Sequence, residues 1–180
     1  AYRGRDKILK FEGGFHGMND YGLMSMSPSQ PQPFPAPAAD SSGIPESLLG
    51  DVLVAPFNDI EETTAIIERY HDELAGVIVE PLQRVIPPAP GFLQGLRDVT
   101  SRFNVPLIFD EIVTGFRFAY GGAQEFYGIV PDMCTLGKAV AGGFPLSAVA
   151  GAADIMEHFV PSEPGGAFVM QEGTLNGNPI

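Results

Sequence analysis

The stretch that decides the fold is "GFLQGLRDVTSRFNVPLIFDE", residues 91–111. Phe92, Leu96, Val99 and Phe103 recur at steps of four, three and four, which lines one face of a helix. The period then changes. "PLIF" (106–109) is a short apolar run with the character of a buried strand, and it ends on two acids, Asp110 and Glu111. The same alternation continues on both sides. Upstream, "NDIEETTAIIERYHDEL" (58–74) predicts a helix capped by Asn58 or Asp59, with Glu61 or Glu62 closing a capping box and Ile60, Ile67, Tyr70 and Leu74 on one face. "AGVIVEP" (75–81) follows as a strand, and "KILKF" (7–11) and "DVLVAPF" (51–57) supply two more. Downstream, "MCTL" (133–136) and "LSAVAG" (146–151) are strands and "AADIMEHF" (152–159) is a closing helix. Strands alternating with amphipathic helices predict an α/β fold, a mainly parallel sheet with helices on both faces.

Between the first two strands lies "SPSQPQPFPAPAADSSGIPES" (27–47), where repeated prolines remove backbone donors and forbid a helix or a central strand. Residues 24–46 are therefore expected to form a long surface loop, and a loop of this length is a candidate active-site lid. Composition narrows the function. With a formal charge of −12 and only 10 Lys and Arg, the chain offers no basic surface for a phosphate backbone, so no nucleic-acid partner is expected. A single cysteine, Cys134, cannot form an internal disulfide; it reads as a small buried hydrophobe in a cytoplasmic protein. No apolar run reaches the roughly 20 residues of a membrane helix, and no metal site is expected.

Parallel sheets bind ligands beyond the carboxyl ends of their strands. That edge selects Glu80 at the end of "GVIVE", Asp110 at the end of "PLIFD", and Lys138 after "MCTLG". Two acids and a lysine converging there suit one chemistry in particular. A partly desolvated lysine has a lowered pKa, and its neutral amine forms a Schiff base with an aldehyde. Pyridoxal phosphate needs such a lysine and an acid at its pyridine nitrogen, because the protonated ring is the electron sink. Lys138 and Asp110 can fill those roles, and Gly142 and Gly143 of "KAVAGG" would leave the lysine room to swing away when a substrate amine replaces it.

A nucleotide-binding alternative starts from "LIFDE", which also matches the magnesium-binding acid of nucleotide triphosphatases. Such a protein needs G-x-x-x-x-G-K-[ST], and before Gly137-Lys138 the required glycine is Asp132, while Ala139 stands where Ser or Thr should follow. The phosphate loop is absent from these residues.

The segments "KFEGGFHG", "DSSGIPES", "GVIVEP", "PGFLQGLRDVT", "FDEIVTGFR", "YGGAQEFYGIVPDMCTLGKAVAGGFPLSAVAG" and "EGTLNGNP" together resemble the class III aminotransferases, which have the type I fold of pyridoxal-phosphate enzymes, and are most similar to the glutamate-1-semialdehyde 2,1-aminomutase branch. The resemblance implies a homodimer acting on a small-molecule amino donor and a carbonyl acceptor. It makes Lys138 the Schiff-base lysine and proton carrier, and Asp110 the partner of the pyridine nitrogen. Phe15 of the "FHG" motif would stack on one face of the ring, with Val113 near the other. His16 joins the cofactor site as a hydrogen-bonded histidine with no catalytic role, and Glu80 is the family's Glu-Pro acid beside the ring. Thr174 would bind the cofactor phosphate of the neighbouring subunit. His71 and His158 are expected on helix faces toward solvent.

Departures from the aminomutase pattern bear on the reaction. "FHGM" stands where Tyr-His-Gly-His is usual, and Asn176 stands where Ser is usual. These changes favour a general aminotransferase over the aminomutase; racemases and decarboxylases of the same fold stay open. The proline-rich loop corresponds to the aminomutase gating region. By the same resemblance a Ser-Gly-Thr phosphate-binding segment is expected before residue 1 and a small C-terminal domain after residue 180. The chain then corresponds to the central part of a large domain.

Overall fold

The computed structural model describes residues 1–161, 168–173 and 176–177. Six strands form one sheet: β1 (Lys7–Phe11), β2 (Val52–Ala55), β3 (Leu74–Val79), β4 (Leu107–Asp110), β5 (Met133–Leu136) and β6 (Ala148–Gly151), in the order β2-β1-β3-β4-β5-β6. Every neighbouring pair is parallel except β5 and β6. The helices are α1 (Ile60–Tyr70), α2 (Phe92–Arg102), α3 (Gly122–Tyr127) and α4 (Ala153–Met156), with short 3₁₀ turns at Glu46–Asp51, Lys138–Ala141 and Glu157–Phe159. The α/β class and the mainly parallel sheet are as the sequence predicts.

Local chemistry accounts for the boundaries. Asp59, not Asn58, caps α1, its carboxylate accepting the Glu62 N–H at 3.0 Å. Asn58 instead takes a left-handed backbone and accepts the Ala89 N–H, tying the start of α1 to the start of α2. The helix stops at Tyr70 rather than running to residue 74, so Leu74, expected on a helix face, is the fully buried first residue of β3. Asp72 and Glu73 favour that stop, since acids are unfavourable at the negative end of a helix dipole. Helix α2 ends where Asn104 adopts φ 52° and the Val105 N–H closes onto the Thr100 carbonyl, which turns the chain directly into β4.

The main core lies on one face of the sheet. Leu9, Phe11, Leu53, Val77, Val79, Leu107 and Phe109 meet Ile66 and Ile67 of α1 and Phe92, Leu96 and Val99 of α2. At β2 the opposite face, Val52 and Val54, is covered by the proline-rich loop through Met24, Phe34 and Ile44 and by Leu48 of the 3₁₀ turn that follows it. The base of that loop is pinned. Met24 pairs with Ala39, the Asp40 carboxylate accepts the Met26 and Ser27 N–H groups, and the Val54 N–H donates to the Pro35 carbonyl. Among the described residues no helix is long and apolar enough to cross a membrane.

Candidate active site

Because β1, β3, β4 and β5 are parallel neighbours, their carboxyl ends deliver four consecutive segments to one edge of the sheet. From β1 comes the turn Glu12–His16, from β3 Glu80, from β4 Asp110, and from β5 Lys138.

Asp110 is the centre of this edge. One oxygen of its buried carboxylate bonds His16 Nδ1 at 2.8 Å; the other accepts the Thr135 hydroxyl at 3.0 Å and the Ile112 N–H at 3.2 Å. Thr135 reaches it because the two residues are in register across β4 and β5. Burial alone would raise the Asp110 pKa. The His16 hydrogen bond, with the Ile112 and Thr135 donors, outweighs burial and holds the carboxyl below its ordinary value. It is therefore an anion at neutral pH.

Glu80 behaves differently. It is buried and accepts the Phe15 N–H at 3.0 Å, and burial pushes its carboxyl up, with the Phe15 bond, His16 and Arg84 opposing that push only in part. The contact fixes the backbone that carries Phe15 and His16. The Arg84 guanidinium sits 5.2 Å from the centre of the Phe15 ring, leaving the ring one face against a cation.

Lys138 follows β5 at the first position of a 3₁₀ turn, in a left-handed conformation with φ 46°. Its side chain is exposed, so the partly desolvated setting expected of it is not what surrounds it: it stands on the sheet edge, and no described element covers it. Gly142 and Gly143 follow with φ 56° and 98°, left-handed values that favour glycine. Val113 lies on the turn after β4 and is 38% exposed. Thr174 lies outside the described residues.

Direct bonds thus join Phe15, His16, Glu80 and Asp110, while Lys138 and Val113 share the edge without bonding to that group. His71 and His158 stand apart from it, each half-buried rather than fully in solvent; His71 packs on Phe103 and His158 edge-on against Tyr2. Thr135, Gln83 and Arg84 contribute to the site and are not singled out by the sequence. Thr135 has a signal in hindsight, a hydroxyl inside the apolar run "MCTL".

The family model for aminotransferase class-III matches residues 1–180. A glutamate-1-semialdehyde 2,1-aminomutase of Pelotomaculum thermopropionicum is 47% identical over all of this chain and 41% of its own length. One from Bacillus subtilis is 44% identical with the same coverage. Among solved structures, an omega-transaminase from Sphaerobacter thermophilus superposes with a TM-score of 0.90 at 41% identity, over 99% of this chain and 42% of that one. A glutamate-1-semialdehyde-aminomutase from Pseudomonas aeruginosa in complex with PMP gives 0.76 at 30% identity, over 99% and 40%. The chain spans about two fifths of the length of these relatives.

Proposed function

Starting from the premise that this chain belongs to the class-III aminotransferase family, we propose that it is the cofactor-holding part of a pyridoxal-phosphate-dependent aminotransferase. The observation that carries the reading is Asp110: a buried carboxylate kept anionic by His16, Thr135 and Ile112, one strand away from Lys138. A pyridine nitrogen needs such an anion to stay protonated, so the donor set fits the cofactor. When bound, pyridoxal phosphate supplies an aldehyde that takes up amino groups and a ring that accepts the electrons released at the substrate carbon.

The chain's own residues divide the remaining work. Lys138 Nζ would hold the cofactor's aldehyde, and the same amine would be the base that takes and returns a proton. Asp110 would hold a proton at the ring nitrogen. Phe15 would stack on the ring, its orientation set by the Glu80 bond to its backbone and by Arg84 on its plane. Val113 would line the other side of that site. Thr174 serves the phosphate site of a second copy in a homodimer. The exposed Phe116, Tyr120, Phe126, Phe144 and Leu146 give that assembly apolar surface to bury. Residues 24–46 act as a lid whose pinned base leaves the exposed segment at residues 29–33 to move. A cytoplasmic setting belongs to the same reading, supported by the lone buried thiol of Cys134.

Borohydride trapping of the natural full-length protein with pyridoxal phosphate, followed by peptide mapping, tests this. We expect a phosphopyridoxyl adduct confined to the peptide containing Lys138 and lost in Lys138→Ala. A folded protein that gives no adduct there refutes the reading. The second reading, an aminomutase, is favoured by the names of the relatives at 44% to 47% identity. Product formation that depends on an added 2-oxo acid identifies the aminotransferase; isomerisation with neither donor nor acceptor identifies the aminomutase.

A further inference from the structure

The turn Glu12–His16, which carries Phe15 and His16, is gripped by the segment after β3. Glu80 accepts the Phe15 N–H, the Arg84 Nε donates to the Gly13 carbonyl at 3.3 Å, and Gln83 Nε2 donates to the Glu12 carbonyl at 2.8 Å. Gln83 is itself held, its backbone exchanging two hydrogen bonds with Ile86, and it is 4% exposed. Two polar atoms in this grip are buried without a hydrogen-bond partner: Gln83 Oε1 and His16 Nε2. They face the same place. An ideal Cβ at Gly14 would lie 3.1 Å from His16 Nε2, 3.1 Å from the Phe11 carbonyl oxygen and 3.5 Å from Gln83 Oε1, so both unpaired atoms border the same side of Gly14, and a side chain there would press on them.

Buried polar atoms are rarely left unsatisfied, and two beside each other are satisfied at once by a single water. We infer that Gln83 is a positioning residue for His16, its Oε1 linked to His16 Nε2 through one bridging water. The orientation of the amide is not free, because the Glu12 carbonyl requires a donor and so takes Nε2. The remaining Oε1 only accepts, so the water donates one hydrogen to it and has its second to offer His16 Nε2. A bare Nε2 is the tautomer that keeps its proton on Nδ1, the nitrogen 2.8 Å from Asp110. Gln83 thus fixes which way His16 faces the carboxylate, without touching that carboxylate or the cofactor itself.

The first test is a crystal structure of the full-length protein at a resolution that shows ordered water. We expect one water within hydrogen-bond distance of both atoms; either atom bonded to another group instead, or no water between them, overturns the inference. The second uses a matched pair of variants, Gln83→Glu and Gln83→Met. Both lose the donor to the Glu12 carbonyl, and only the methionine also loses the acceptor facing His16. Pyridoxal phosphate should bind Gln83→Met about tenfold more weakly than Gln83→Glu. Equal weakening would assign the whole effect to the Glu12 bond and overturn the inference. This arm rests on the proposed cofactor. If the wild-type protein binds none, that reading fails while the water still decides the role of Gln83, and the water alone decides it if neither variant folds.

Discussion

Replacing Glu111 should loosen α3 while leaving the rest of the sheet edge intact. Its side chain is fully buried, and its carboxylate takes donors from a helix eleven or more residues away along the chain. Oε2 accepts the Thr114 hydroxyl at 3.0 Å and the Ala123 N–H at 2.5 Å; Oε1 accepts Gln124 Nε2 at 3.0 Å and, at 3.4 Å, the Gln124 N–H. The N-cap of α3, Gly121, has no side chain, and Glu125 of the helix accepts only the Gly121 N–H, so the Ala123 and Gln124 N–H groups are left to Glu111 from the end of β4. A hydrogen bond to a charged group contributes about 1.5–3 kcal/mol, and an orphaned buried donor costs about 1–3 kcal/mol. Glu111→Ala orphans the buried Thr114 hydroxyl and Ala123 N–H, and with partial relief from entering water we expect a loss of about 3 kcal/mol. Glu111→Gln keeps the shape and turns one oxygen into a donor, which deprives one of the two donor pairs and should cost about 2 kcal/mol. Hydrogen exchange of the full-length protein reads this locally. At about 1.4 kcal/mol per tenfold, protection of the peptide covering residues 121–128 should fall roughly a hundredfold for the alanine and about thirtyfold for the glutamine variant, with β1 unchanged. Protection within threefold of wild type in both variants would refute the claim that this carboxylate holds α3.

Two pH predictions use buried groups of opposite sign. Lys10 is fully buried, its Nζ donating to the carbonyls of Gly22, at 3.0 Å, and Met24, and burial lowers its pKa to about 8. Between about pH 8 and the ordinary lysine value near 10.4, the unfolded chain holds a proton that the folded one has released. Denaturant unfolding should therefore show the full-length wild type gaining stability relative to Lys10→Met as pH rises through that window; a flat or falling difference would contradict it. Asp110 runs the other way. Its folded pKa is below the ordinary value, so its stabilisation is present above about pH 4 and is lost as pH falls through the folded value. The advantage of wild type over Asp110→Asn should shrink on acidification from pH 6 to pH 3, and a constant difference would show that the His16 bond does not stabilise the anion.

What the sequence revealed, and what it hid, follows from the range of the forces involved. β3, α2 and β4 are legible because a parallel sheet under amphipathic helices writes its burial into the period of "GVIV", Phe92–Leu96–Val99 and "LIFD". Helix α3 is not legible. Six residues are too few to show a period, and the group that caps it belongs to another element. Lys10 misleads for a related reason: in "KILKF" it alternates with Leu9 and Phe11 and looks like the solvent side of a strand. That side is instead roofed by a proline-rich loop whose contacts come from residues 22–48. A surface loop and a buried lysine are thus one feature, since the loop carbonyls supply the partners that let the lysine be buried.

The site divides along the same line. Glu80, Asp110 and Lys138 can be found from sequence because strand ends in a parallel sheet share an edge whatever the strand order. What joins them depends on that order. His16 reaches Asp110 across 94 residues only because the turn after β1 passes over β3, and Thr135 reaches it only through the register of β5 on β4. The anion at Asp110 is therefore a product of topology more than of its own neighbourhood in the chain. Shifting β5 by one residue would turn the Thr135 hydroxyl to the other face and remove a donor from Asp110, with Lys138 unchanged in sequence. Asp110 and Lys138 are consequently linked by the strand pairing between them, and an insertion at residues 128–132 that slipped β5 should disturb both, whereas one in the exposed stretch at residues 29–33 should disturb neither.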